Sequence, residues 1–258
     1  MEEKMNSLKK TARTAGILYI LMDVFMIFSG MYVDSKIYVP GDAVATVSNI
    51  LAFEWLFRLG FVSWIVGYIV YLFLVLSLYN LFKSVDKGQA RLMVILVVAS
   101  VPLSILNMLN QYAPIVLFSG AGHLSAFNPA QLQTLSMVFL DLYNNGIMVA
   151  EIFWGLWLIP FGILAYKSRF VPKVLGVLLI VGCFGHLLSF LSTFLFPDYN
   201  TILIPVSEIV MIGELPIFLW LLIKGVKDQQ PSTMEPRNPI LGQELAGEVR
   251  ETKILSLF

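Results

Sequence analysis

The sequence predicts an all-α fold: a polytopic integral membrane bundle of about six transmembrane helices, both termini cytoplasmic, with short helices at the outer interface. Three observations predict it. Hydrophobic residues make up 58% of the 258, charged residues only 13%, and the mean hydropathy is +0.80, more apolar surface than a soluble domain can hide. The apolar residues gather into runs long enough to cross a bilayer, which takes roughly 20 residues of helix. The basic residues fall on alternate connections between those runs. Alternation at strand period is absent, which argues against a membrane barrel.

The predicted spans are Gly16 to Val33, Phe57 to Phe82, Leu92 to Phe118, Val138 to Tyr166, Val174 to Phe196 and Ile202 to Ile223. Lipid offers no partner for bare backbone N–H and C=O groups, so each run is a helix. Lys9, Lys10 and Arg13 precede the first run in a pattern that a secretory signal shares. The run's length, its Asp23 and the lack of a small-x-small cleavage site favour an anchor. Lys and Arg accumulate on the cytoplasmic side of membranes. With six spans, 15 of the 17 basic residues fall on one side, leaving Lys36 and Arg58 opposite. An odd number of spans destroys that asymmetry, so the count and the inward termini support each other.

The first outer connection carries Pro40, Gly41 and Asp42, a turn whose Asp42 can cap a helix with Val44, Val47, Ile50 and Leu51 on one side. Glu54 and Arg58 follow at i and i+4, within reach of an outer salt bridge. In the second outer connection Asn128 precedes Pro129, a cap followed by a favoured first helical residue. Tyr38, Phe53, Trp55, Phe196 and Tyr199 suit the outer boundary, and Tyr79, Tyr166, Phe170 and Trp220 the inner one. Residues 1–226 read as one membrane-embedded domain. Residues 227–258 turn polar, with Leu241, Leu245 and Val249 at helical spacing, and read as a mobile cytoplasmic tail.

An ionisable group at the bilayer centre costs about 2.5 to 3.5 kcal/mol on insertion scales, so each one calls for a reason. Asp23 lies mid-span in the first run, Glu151 in the fourth and Glu214 in the sixth; Asp141 and Glu208 lie nearer the outer side. No Lys or Arg lies as deep, and His186 in the fifth run is the one basic candidate among them. Such carboxyls must be neutral, hydrogen-bonded, solvated in a cavity or paired with a cation. In the fourth run Asp141, Asn144 and Asn145 fall at i, i+3 and i+4, with Glu151 close to the face of Asn144. Asn107, Asn110 and Gln111 form a matching stripe in the third, and antiparallel pairing would let the two meet. Pro102, Pro160, Pro205 and Pro216 interrupt the third, fourth and sixth runs, where kinks free carbonyls to line a cavity.

Polar side chains inside bundles also act as glue, through interhelical hydrogen bonds of order 1 kcal/mol. Beside His186, the small residues Gly182, Gly185, Ser189 and Ser192 suit close helix packing. Two histidines exclude a multi-histidine metal centre, the single Cys183 excludes a disulfide framework, and no HExxH, GxSxG or Walker loop occurs. No metal ligand set and no cofactor are specified. Zero net charge gives no sign of nucleic-acid binding, so the partner implied is the lipid bilayer, with a second copy or another membrane protein left open. Three readings stand. The first is a non-enzymatic bundle held together by its polar groups; the second is a small proton- or cation-coupled transporter or channel; the third is an enzyme acting on a lipid or quinone.

The segments KKTARTAGILYIL from Lys9, VPGDAVATVSNILAFEWLFRLGF from Val39, LSAFNPAQLQ from Leu124, FLDLYNNG from Phe139 and GELPIFLWLLIKGV from Gly213 resemble the prokaryotic membrane family called domain of unknown function 4386. The resemblance runs from about Lys9 to Val226. It implies a polytopic helical membrane protein of bacteria or archaea and carries no catalytic residues with it.

Overall fold

The computed structural model describes residues 2–39 and 41–226, so Pro40 and the tail expected at 227–258 lie outside the described residues. Among the described residues the chain is all helix, with six helices long and apolar enough to cross a membrane. The first is α1 (Glu2–Ile27), prolonged by a π-helical stretch (Phe28–Val33) and the short α2 (Asp34–Ile37). A short α3 (Ala43–Ala52) leads to α4 (Glu54–Phe82), the second span, and α5 (Lys87–Leu117) is the third. The fourth is built from α6 (Pro129–Leu156) and α7 (Leu158–Lys167), and the fifth is α8 (Lys173–Leu195). The sixth joins α9 (Asn200–Met211) to α10 (Leu215–Ile223) through a single 3₁₀ turn at Ile212–Glu214.

Each span packs on the next along the chain, and α10 returns to pack on α1, so the six close into a ring. Hydrophobic side chains fill its interior; Leu74, Leu78, Leu81, Met93, Phe161, Leu164 and Leu179 are fully buried. Apolar side chains also cover the outside, as with Phe73, Ile95, Leu106, Phe184 and Ile209. A helix apolar all round belongs in a hydrocarbon environment, where the outer face meets lipid instead of water.

Glycines set the closest helix approaches. Gly162 of α7 and Gly176 of α8 face each other so tightly that a Cβ on either would stand 2.6 Å from the other's carbonyl oxygen. A Cβ on Gly16 of α1 would meet the Leu222 backbone of α10 at 2.8 Å, the contact that closes the ring. Small residues at such crossings let backbones approach without a side chain between them.

The expected caps form. Asp42 accepts a hydrogen bond from Ala45 N–H at 2.8 Å, and Gly41 takes the left-handed conformation, φ 76°, that the turn needs. Asn128 and Gln131 make a reciprocal capping box on either side of Pro129, the first residue of α6. Two expectations change. On α3 it is Thr46, Val47 and Ile50 that are buried, while Val44 and Leu51 stay exposed. Phe170 is a core residue, its ring 5.4 Å from Phe82, and no boundary anchor.

The basic connections gather at one end. Lys167 Nζ lies 2.8 Å from Asp86 Oδ2, joining the second connection to the fourth, and Ser77 Oγ donates to Thr11 O at 3.2 Å beside the N-terminal segment. At the opposite end Asn49 donates to Ile37 O at 3.2 Å, and Arg58 pairs with Glu54 at 2.6 Å while also donating to the Tyr112 hydroxyl.

Candidate functional site

Prolines shape the fourth and sixth spans differently from the others. Pro160 has no N–H to offer the Leu156 carbonyl, and the helix breaks at Trp157 between α6 and α7. Pro216 likewise cannot serve the Ile212 carbonyl, which takes the Leu215 N–H in a 3₁₀ turn instead. Glu214 sits in that turn. Pro102 and Pro205, by contrast, lie within the continuous helices α5 and α9, as does Pro114, so the interruptions expected there do not occur.

The two breaks flank a cavity of about 190 Å³ in the middle of the bundle. From α1 come Tyr19, Met22, Asp23 and Met26, spaced i, i+3, i+4 and i+7 along one face. Trp64 and Tyr71 face it from α4, Trp154 and Trp157 from the break in the fourth span, His186 from α8 and Glu214 from the 3₁₀ turn. His186 Nε2 lies 3.3 Å from Glu214 Oε1, an imidazole–carboxyl contact that is mostly buried. His186 can stand there because Gly155 of α6 leaves room; a Cβ on Gly155 would meet His186 Cβ at 2.8 Å. Asp23 lies within electrostatic range of Glu214, so two acidic groups and one imidazole from three spans share the cavity.

The aromatic walls are braced against one another. Tyr19 stacks on Phe218 of α10 with centroids 3.4 Å apart, Tyr71 meets Trp157 edge-on at 5.3 Å, and Tyr68 links Trp64 and Trp154. Such pairs hold the rings in fixed orientations.

Glu151 lies one layer away, beside Ser189 of α8 and within electrostatic range of His186 and Glu208. Its Oε2 and His186 Nδ1 are buried with no hydrogen-bond partner among the described residues. On toward the opposite end from the basic connections, Ser192 is fully buried and donates to Asn200 Oδ1. A polar track thus runs from Asn200 past Ser192, Ser189 and Glu151 to His186, Glu214 and Asp23.

The other polar residues divide. Asn107 donates to the Tyr143 carbonyl at 2.8 Å, Asn110 donates to Asn107 Oδ1 at 3.1 Å, and the Asn107 amide occupies the space a Cβ of Gly146 would need. The third and fourth spans therefore meet as expected, but through a backbone carbonyl and a glycine. Gln111 is buried beside Tyr38. Asp141, Asn144 and Asn145 are exposed, as is Glu208, so the stripe read on the fourth span turns outward before it reaches buried Glu151. Glu54 and Arg58 form their pair at the bundle's end, apart from the cavity. The cavity's tryptophans were absent from the candidates; the signal for them was Trp154 and Trp157 at i+3 and i+6 from Glu151.

Residues 14–225 match the family described as Domain of unknown function (DUF4386). The chain belongs to this family. The DUF4386 match takes in the whole cavity, from Tyr19 to Glu214. Over 88 residues the chain is 33% identical to an uncharacterized protein of Archaeoglobus fulgidus, a stretch covering 34% of this chain and 51% of that relative. The chain therefore spans about half the length of that curated relative. No solved structure matches this DUF4386 chain.

Proposed function

We propose that the protein is a small proton- or cation-coupled transporter or channel of the cell membrane, with both termini cytoplasmic. The observation that carries this reading is the convergence of Asp23, His186 and Glu214, from three spans, on one central cavity. Carboxyls that served only as glue would each find a nearby hydrogen-bonded partner and scatter. These share a space large enough for several waters, and an isolated intramembrane carboxyl is costly unless solvated or charge-compensated. His186 and Glu214 can exchange a proton across their 3.3 Å contact once a water or small rotation aligns them. Asp23 and Glu214 supply negative charge for a cation, and Glu151 with Ser189 and Ser192 offers a route toward the outer end.

The glue reading fits a different group of residues. Asn107 donates from the third span to the fourth, Asn110 braces Asn107 within the third, and neither lines the cavity.

The test is flux through purified protein in liposomes, with a pH-sensitive dye inside and matched sodium or potassium gradients outside. Wild type is expected to exceed empty liposomes, Asp23→Asn and Glu214→Gln to lose most of that excess, and Asn107→Ala, where it folds, to keep it. Flux at the empty-liposome level for wild type under every gradient would overturn the reading.

A further inference from the structure

Resting on the reading that the cavity receives a cation, we propose that its ligand is a small organic ammonium ion. The lining decides the class. Hard metal cations favour a shell of six or more oxygen ligands, whereas this cavity sets two carboxyl groups, Asp23 and Glu214, among side chains that are mostly tryptophan, tyrosine and methionine. Trp64, Trp154, Trp157 and Tyr71 line it from the second and fourth spans. An aromatic ring carries the negative lobe of its quadrupole on its face, which attracts alkylated ammonium groups without requiring hydrogen bonds. The carboxyls balance the charge, and the thioethers of Met22 and Met26 complete an adaptable, weakly polar wall.

Size narrows the choice further. About 190 Å³ is smaller than a drug-sized pocket, which starts near ~300 Å³, so the ligand is a compact head group with few carbons. The Tyr71–Trp157 and Tyr68–Trp154 ring contacts fix the walls before a ligand arrives, so little ordering accompanies binding. Purely aliphatic walls would accept a neutral molecule of the same shape equally well. The cage with its carboxyls discriminates by charge.

The experiment uses the full chain in lipid nanodiscs and follows intrinsic tryptophan fluorescence, since three of the five tryptophans line the cavity. The probes are tetramethylammonium chloride, tert-butanol as its neutral counterpart of similar shape, and potassium chloride to match ionic strength. A saturable change is expected with tetramethylammonium alone. Trp154→Phe is expected to keep binding, and Trp154→Leu to weaken it by about tenfold, the scale of one desolvated cation–aromatic contact. Asp23→Asn is expected to weaken it further, with a circular-dichroism melt confirming that each variant is folded. An equal response to tert-butanol, or no saturable response to tetramethylammonium in folded wild type, overturns the inference. The flux experiment then separates the two failures. If inorganic-cation or proton flux survives and depends on Asp23 and Glu214, the transport reading stands and only the ligand class is wrong; if flux is also at the empty-liposome level, both fall.

Discussion

Glu214 owes its place to a proline two residues downstream. With Pro216 unable to donate, the Ile212 carbonyl turns to Leu215 N–H, the helix tightens into one 3₁₀ turn, and Glu214 is swung against His186. Asp86 stands outside the spans. The Lys167 ammonium, bonded to Asp86 Oδ2 at 2.8 Å, and then the Gln89 N–H hold the Asp86 carboxyl below its ordinary range. A lowered carboxyl stabilises the fold fully above its unfolded value, near ~3.9, and that contribution is lost as pH falls through the still lower folded value. Asp86→Asn keeps a good helix cap and removes only the charge. Its melting temperature in detergent is expected to lie slightly below wild type at neutral pH and to converge on it in strong acid. A gap that stays constant with pH would assign the contribution to hydrogen-bond geometry and not to charge.

At the scale of elements, the fourth and fifth spans are held at backbone distance by glycines, and Gly162 tests how much the ring depends on it. In Gly162→Ala the new Cβ would stand 2.6 Å from Gly176 O, a backbone atom that cannot swing aside. The helices must separate, with an expected loss of about 1 to 3 kcal/mol as for other overpacked sites. Gly122→Ala, where nothing stands within 4 Å, is the matched control and should leave the melt unchanged. A Gly162→Ala melt equal to the control would show that the crossing has slack. The elements themselves were legible in the sequence because length, hydropathy and caps are local: Asp42, Asn128 and Pro129 mark helix starts by chemistry confined to a few residues. The outcome at each proline was not legible. Pro160 and Pro216 sit beside breaks in their helices while Pro102 and Pro205 do not, although each lacks the same N–H, so the missing donor alone does not determine the outcome.

At the scale of the whole molecule, the acidic residues were visible in the sequence as isolated anomalies, but their meeting was not. Asp23 and Glu214 are brought together only when α10 closes the ring on α1, through a contact nearly the full chain apart in sequence. Helical spacing placed Asn144 and Glu151 on one face, yet one is exposed and the other buried, because α8 and its neighbours cover only part of that face. The ring also makes a demand that topology must satisfy. Lys167, Asp86, Thr11 and Ser77 meet at one end, so the N-terminal segment and the second and fourth connections must lie on the same side of any membrane the bundle crosses. The excess of Lys and Arg there is what the proposed inward orientation rests on, through the positive-inside rule. Cysteines placed singly at Gly122 and Lys87, both exposed, are expected to react with a membrane-impermeant maleimide from opposite sides of intact cells, Gly122→Cys directly and Lys87→Cys only after permeabilisation. Buried Cys183 supplies the low background against which both are read. Labelling of both positions from one side would refute the six-span arrangement. Labelling of Lys87→Cys alone in intact cells would keep the arrangement and invert it, and the polar track from Asn200 would then open to the cytoplasm.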